Sequence, residues 1–400
     1  MKRIITISLF TIIFCCSSRA QECVDSVSWN QKITERLDDL LDNSFFEKTQ
    51  LGFMVYDLTA DSMLYAKHEK MILRPASTMK ILTAVTALDN LGGDYKFRTS
   101  LYYDGELKGN ILEGDIYCKG GFDPAFCSKD MESLIAAITS SGIDTIRGHI
   151  YADVSFKDAT KYGEGWCWDD ENFVLTPLPY NRKLNEVFMD VFQRRLSEKV
   201  CLIEDSCEHK KTKVVPSSAI FLTERTHPIS TILNRMMKIS DNLYAESMLY
   251  HIAHDYKGNN ASAKDGLRKI KSLVTRLGFR ASDYRLADGS GLSLYNYVSA
   301  ELECAFLKYA FQNNDIFYYL YPSLPIAGKD GTLEKRMKRT VAAGNVHAKT
   351  GSVSGVSSLA GYLTSSNGHF LCFSIINQGV MKLSESKFFQ NRICQILCNP

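Results

Sequence analysis

Residues 74–85 read Arg-Pro-Ala-Ser-Thr-Met-Lys-Ile-Leu-Thr-Ala-Val, and the expected architecture grows outward from them. Arg74-Pro75-Ala76 halts any preceding element, because proline fixes its own φ and pushes the residue before it toward extended backbone. Met79, Ile81, Leu82, Val85 and Leu88 then recur at helical spacing, so Ser77 opens a largely buried helix. Ser77 and Lys80 stand about one helical turn apart, which sets a hydroxyl beside an amine. At a helix start the hydroxyl also meets the positive end of the dipole and free backbone N–H donors, both suited to a developing oxyanion. Taken alone, the same residues are equally a serine cap followed by a solvated lysine.

Two further triplets follow in order: Ser240-Asp241-Asn242 in a helical region and Lys349-Thr350-Gly351 on an expected strand. Each is weak in isolation, since Ser384-Glu385-Ser386-Lys387, Ser28-Trp29-Asn30 and Ser365-Ser366-Asn367 repeat the same patterns by chance. Context separates them. Ser384 starts an exposed-looking C-terminal helix and reads as its N-cap. Ser366-Asn367-Gly368 lies between two alternating apolar runs and reads as a hairpin turn.

The 400 residues are enough for a full core and roughly two domains. Lys2-Arg3, an apolar run from Ile4 to Phe14 and Ser18-Arg19-Ala20 form a secretory signal peptide over residues 1–20. Cys15 and Cys16 raise a bacterial lipoprotein as the alternative, although neither follows the usual lipobox pattern. Removing Lys2, Arg3 and Arg19 takes the 47 basic residues to 44 against 45 acidic ones, and so near-neutral a chain gives no sign of binding nucleic acid. Ten of the 12 cysteines remain, with Cys118–Cys127 and Cys201–Cys207 as local disulfide candidates. No Cys-x-x-Cys pair occurs and the eight histidines are scattered, which argues against a zinc site.

Residues 51–58 and 62–66 read as two strands, and the Ser77 helix ends by Gly92-Gly93. From Lys96 to about Thr223 short strands and glycine turns surround one clear helix near 129–141, which has the texture of an insertion. Helical periodicity resumes from about 226, and strands return at 344–350, 357–364 and 369–377 before a closing amphipathic helix. Strands at both ends enclosing helices give an α/β sandwich, with an antiparallel sheet and a helical cluster packed on it. The expected division is a catalytic domain from 21–95 and 226–400, with an inserted accessory domain over 96–225.

Arg-Pro-Ala-Ser-Thr-Met-Lys-Ile-Leu-Thr-Ala (74–84), Met-Lys-Ile-Ser-Asp-Asn-Leu-Tyr-Ala-Glu (237–246), Asp-Gly-Ser-Gly-Leu-Ser (288–293), Leu-Pro-Ile-Ala-Gly-Lys-Asp-Gly-Thr-Leu (324–333) and Ala-Lys-Thr-Gly-Ser (348–352) together resemble the D-alanyl-D-alanine carboxypeptidase/endopeptidase family, the class C low-molecular-mass penicillin-binding proteins. The resemblance implies a penicillin-binding, serine β-lactamase-like transpeptidase fold carrying a smaller α+β insertion. It is thinnest between about 130 and 225, where better-known members carry longer extra domains.

By that resemblance Ser77 is the nucleophile that forms an acyl-enzyme on peptidoglycan stem peptides, and Lys80 takes its proton. Ser240 relays a proton to the leaving nitrogen, and Asn242 holds the substrate amide. Lys349 and Thr350 meet the terminal carboxylate, and Gly351 lets a substrate backbone lie close to the strand. The backbone N–H groups of Ser77 and Ser352 make the oxyanion hole. Asp123, in Gly120-Gly121-Phe122-Asp123-Pro124, faces the amine of a diamino acid or merely forms a turn. Trp166 and Trp168 are structural, or pack on glycan. The resemblance also implies a periplasmic enzyme that needs no cofactor or metal and takes β-lactams as covalent inhibitors. Two other readings share the motifs: a serine β-lactamase, and a non-catalytic β-lactam-sensing or wall-binding module. A class A β-lactamase calls for Glu-x-x-Leu-Asn between the second and third motifs, and residues 243–348 contain none.

Overall fold

The computed structural model describes residues 29–170, 173–203 and 212–400; the expected signal peptide over residues 1–20 and Cys207 lie outside them. Its strands are β1 (Gln50–Asp57), β2 (Ser62–Lys67), β3 (Lys96–Lys108), β4 (Ile111–Gly120), β5 (Thr145–Arg147), β6 (Ile150–Asp153), β7 (Cys201–Leu202), β8 (Ile220–Pro228), β9 (His347–Val353), β10 (Val356–Thr364) and β11 (Phe370–Gln378). The helices are α1 (29–41), α2 (Ser44–Glu47), α3 (Met79–Leu91), α4 (Ser128–Ser140), α5 (Asn185–Ser197), α6 (Ile229–Lys238), α7 (Asn242–Lys257), α8 (Ala263–Arg276), α9 (Ala300–Gln312), α10 (Asn314–Ser323) and α11 (Leu383–Cys398).

Two strands near the N-terminus and three near the C-terminus form one antiparallel sheet in the order β2-β1-β11-β10-β9. Its middle strands are buried on both faces, which is why β1, β10 and β11 read as almost unbroken apolar runs. Alternation along β1 sends Leu51, Phe53 and Val55 to a core shared with α1 and α11, while Met54 faces α3 and the helical cluster α6 to α10. The result is three layers: helix, sheet, helix. α3 is buried from Met79 to Leu88, as an all-round apolar helix must be, and stops where Gly92 takes a φ of +78°.

A second, six-stranded sheet, β7-β5-β4-β3-β8 with β6 also on β4, comes entirely from residues between Lys96 and Pro228. It packs its own core on α4 and α5. Helix α5 was not among the sequence-based elements, although Phe188, Phe192 and Leu196 recur every four residues and are buried. Phe97, Phe122, Phe156, Phe173 and Leu175 belong instead to the core of α3 and the helices α6 to α10, so the region is stitched into the main body rather than hung from it.

Two expectations need correction. Cys118 is buried on β4 and Cys127 is exposed at the start of α4, both as free thiols, because one faces the core and the other faces water. Ser384 lies inside the first turn of α11 rather than at its cap, which is Lys382, and Phe389, Ile393 and Leu397 bury that helix against the sheet.

Candidate active site

The nucleophile candidate is set by a tight 3-10 turn, Ala76–Thr78, that feeds directly into α3. Ala76 has φ +50°, a left-handed conformation costly for a residue with a Cβ and held here by its surroundings. The Ser358 hydroxyl of β10 and the Thr78 hydroxyl both donate to the Pro75 carbonyl, at 2.5 and 2.8 Å, and pin the turn to the sheet. Gly351 of β9 lies against the same turn. A Cβ there would come within 2.1 Å of Ser358 Oγ, 2.7 Å of Pro75 O and 3.0 Å of Ser77 N, so the glycine admits the nucleophile's own turn, a tighter reason than the expected approach of substrate.

Lys80 is fully buried, and its Nζ donates to Ser77 Oγ at 3.0 Å, Asn242 Oδ1 at 2.6 Å and the Ser290 carbonyl at 2.6 Å. Burial pushes its pKa down to about 8, against the opposing pull of Asp288, Glu246 and Asp241. An amine at that value is a competent base near neutral pH, and it already touches the hydroxyl it would deprotonate.

Asn242 opens α7, whose N-cap Asp241 accepts from Leu243 N. Ser240, with φ +63°, turns the chain between α6 and α7 so that its hydroxyl accepts from Lys349 Nζ at 2.8 Å. Lys349 is fully buried as well and also donates to the Thr350 carbonyl. Its pKa lies well below the usual value, first because of burial and then because of the neighbouring charge of Lys80. Thr350 bonds Thr332 at 2.8 Å, and Ser352 is exposed two residues farther along β9. The structure thus joins Ser77, Lys80, Asn242, Ser240 and Lys349 through two chains of hydrogen bonds.

Asp123 is placed differently. It is fully buried, its Oδ2 lies 2.6 Å from His227 Nδ1, and its Oδ1 accepts from Ala125 N at 3.0 Å. Both oxygens are engaged within the protein: Oδ1 closes the turn that was one of the two expected roles, and Oδ2 pairs with His227.

Sequence reasoning assigned no role to Glu246 or Asp288, although both lie within the quoted blocks. Glu246 stands one helical turn beyond Asn242 on α7 and accepts from Gly289 N at 3.0 Å and Ser290 N at 2.8 Å. Burial and the charge of Asp288 raise its pKa to about 8. Asp288 gathers Gly291 N, Ser293 N, Ser290 Oγ, Asn296 Nδ2 and Trp166 Nε1. These two carboxyl groups shape the 288–293 turn so that the Ser290 carbonyl points at Lys80. The i, i+4 spacing from Asn242 was the available signal for Glu246.

The profile of the D-Ala-D-Ala carboxypeptidase 3 (S13) family matches residues 33–185 and 180–399. The chain belongs to that family. It is a serine DD-peptidase, a hydrolase. A D-alanyl-D-alanine carboxypeptidase DacB of Haemophilus influenzae is 26% identical over 407 residues, spanning 82% of this chain and 85% of that protein. A D-alanyl-D-alanine carboxypeptidase of an Actinomadura species is 28% identical over 440 residues, spanning 87% and 81%. The structure of penicillin binding protein 4 (dacB) from Haemophilus influenzae superimposes with a TM-score of 0.80 at 23% identity, over 91% of this chain and 99% of that one. The S13 member described here therefore has the penicillin-binding fold expected from its blocks. The same Haemophilus protein has also been solved in complex with a β-lactam.

Proposed function

We propose that this S13 enzyme hydrolyses the bond after the penultimate D-alanine of peptidoglycan stem peptides through an acyl-enzyme on Ser77. The observation that carries the reading is the buried Lys80 amine, bonded at once to Ser77 Oγ and Asn242 Oδ1.

Neutral Lys80 takes the Ser77 proton as Oγ attacks the carbonyl, and the N–H groups of Ser77 and Ser352 receive the developing oxyanion. Ser240 passes its proton to the departing nitrogen and takes one in turn from the Lys80 ammonium, which returns Lys80 to the neutral amine, while Lys349 holds the Ser240 hydroxyl in place. Asn242 spends its oxygen on Lys80 and keeps its Nδ2 donor for the substrate amide. Lys349 and Thr350 receive the terminal carboxylate. That carboxylate supplies the counter-charge that buried Lys349 lacks and so holds it as an ammonium; the ammonium in turn favours neutral Lys80. Water then attacks the ester carbonyl and gives a proton to neutral Lys80, and that proton returns to Ser77 Oγ as the ester bond breaks and the carboxylate product leaves.

The leaving amine is free D-alanine in carboxypeptidase action and a cross-linked D-amino acid in endopeptidase action, and the same residues serve both. β-Lactams acylate Ser77 in this account, as analogues of the D-alanyl-D-alanine end. The basic start and apolar run of residues 1–20 support export to the periplasm, where the wall peptides are, and the region 96–225 acts as an inserted module.

The test is incubation with a pentapeptide muropeptide and a cross-linked dimer, followed by mass analysis of the products. Loss of D-alanine, splitting of the dimer, or both, abolished in Ser77→Ala, is expected. Neither substrate changing in the presence of folded enzyme would overturn the proposal.

A further inference from the structure

Lys80 owes two of its three partners to segments distant in sequence: Ser290 O from the 288–293 turn and Asn242 Oδ1 from the turn that starts α7. Each turn is held from behind by a carboxylate, Asp288 in the first and Asp241 in the second. Each carboxylate in turn accepts from a side chain that belongs to the inserted region.

Trp166 Nε1 donates to Asp288 Oδ2 at 2.9 Å. Arg182 Nη1 donates to Asp241 Oδ2 at 2.9 Å, beside Arg235 Nε at 3.0 Å on the same oxygen. Asp241 is almost wholly buried and stands between Ser240 and Asn242, so its position sets both neighbours. The two donors are also joined to each other. The Arg182 guanidinium lies 5.4 Å from the centre of the Phe173 ring, and that ring meets Trp166 edge-on at 4.9 Å.

The backbone carries marks of this placement. Asn181 and Arg182 have consecutive positive φ values, +52° and +62°, a costly arrangement for residues other than glycine that surrounding contacts must maintain. Gly165 has φ +75°, and a Cβ there would lie 2.6 Å from Ser293 Oγ and 2.5 Å from the Tyr295 ring, so the chain closes directly on the 288–296 segment.

We propose that Trp166 and Arg182 are positioning residues: together, bridged by Phe173, they hold the two turns that present Ser290 O and Asn242 Oδ1 to Lys80. The inserted region is then part of the catalytic apparatus, acting through Asp288 and Asp241 without touching substrate. Loosening either turn removes a hydrogen bond from Lys80 and lets its amine leave Ser77 Oγ. Alignment of a base is worth orders of magnitude in rate even when the displacement is small.

This rests on Lys80 acting on Ser77, and the experiment separates the two claims. The limiting rate of acylation by benzylpenicillin and the apparent affinity of the preceding non-covalent complex are measured for wild type, Arg182→Ala, Arg182→Lys, Trp166→Phe and Arg147→Ala. Arg147 pairs with Glu113 at 3.2 Å on the second sheet, away from Lys80, and serves as the control.

The expected result is a limiting rate at least about tenfold lower in Arg182→Ala and severalfold lower in Trp166→Phe, with affinity little changed. Arg182→Lys restores much of the rate, and Arg147→Ala matches wild type. Wild-type rates in both Arg182→Ala and Trp166→Phe, with wild-type enzyme labelled on Ser77, would overturn the positioning proposal alone. Failure of the wild-type enzyme to acylate would overturn the underlying reading and this proposal with it. Should Arg182→Ala not fold, Trp166→Phe decides, since it keeps an aromatic ring beside Phe173 and removes the N–H donor to Asp288.

Discussion

Lys80 shows how one residue's burial becomes a rate. An ordinary lysine is almost wholly protonated at pH 7, whereas with a pKa of about 8 roughly one molecule in ten carries the free base. The acylation rate should therefore rise about tenfold per pH unit below that value and level off above it. Measured acylation by benzylpenicillin from pH 5 to 10 checks this. A flat profile from pH 5 to 9 would mean that Lys80 is not the base. Asp288, Glu246 and Asp241 oppose the downward push, so the free-base fraction is a balance between burial and three carboxyl groups. The pairing of Ser77 with Lys80 was legible in the sequence because helical spacing is a local property. Trp166 on Asp288 and Arg182 on Asp241 were not, since these partners are 122 and 59 residues apart and only tertiary packing brings them together.

At the scale of elements, the site is a seam between strand β9 and the turn that starts α3. The absence of a side chain at Gly351 sets their distance. Gly351→Ala forces a Cβ into Ser358 Oγ and the Pro75 carbonyl, so β9 and the turn must separate. The expected cost is about 1–3 kcal/mol of stability from overpacking, with acylation falling by at least about 100-fold because Ser77 and Lys349 no longer share one frame. Thermal melts and acylation rates check both halves. Wild-type acylation in this variant would show that the contact is not what aligns the site. The strands and helices of this seam follow from periodicity in the sequence, and the hairpin turn at residues 365–369 from Ser366-Asn367-Gly368. The missed α5 belongs to a stretch where its buried Phe188, Phe192 and Leu196 alternate with charged residues. At Asp123 the Gly-rich, Pro-flanked setting describes the turn that its Oδ1 closes on Ala125 N, while its pairing with His227 of β8, 104 residues away, depends on tertiary packing.

For the molecule as a whole, fully buried carboxyl groups near the catalytic layers make stability depend on pH. Glu303 of α9 sits beneath the sheet with Oε2 accepting from Ser374 Oγ at 2.7 Å and with the Thr78 hydroxyl nearby. Burial raises its pKa to about 7 from an ordinary 4.5. Below pH 4.5 both folded and unfolded chains hold the proton and nothing is lost. Between 4.5 and 7 the unfolded chain ionises first, so stability falls as pH rises, by on the order of 3 kcal/mol once the folded group has also ionised. Glu303→Gln removes that slope: relative to wild type, its melting temperature should be distinctly higher at pH 8 than at pH 4.5. Equal differences at the two pH values would contradict the assignment. Glu246 has the same sense of shift and keeps its own slope in both proteins.

The central claim, that Ser77 is acylated with Lys80 as its base, is tested most directly by intact-mass analysis after incubation with benzylpenicillin, with peptide mapping of any adduct. The account predicts one penicilloyl group per chain, located on Ser77, persistent on the time scale of the assay and absent from folded Ser77→Ala. An adduct on any other residue, or undiminished labelling of Ser77→Ala, would contradict it.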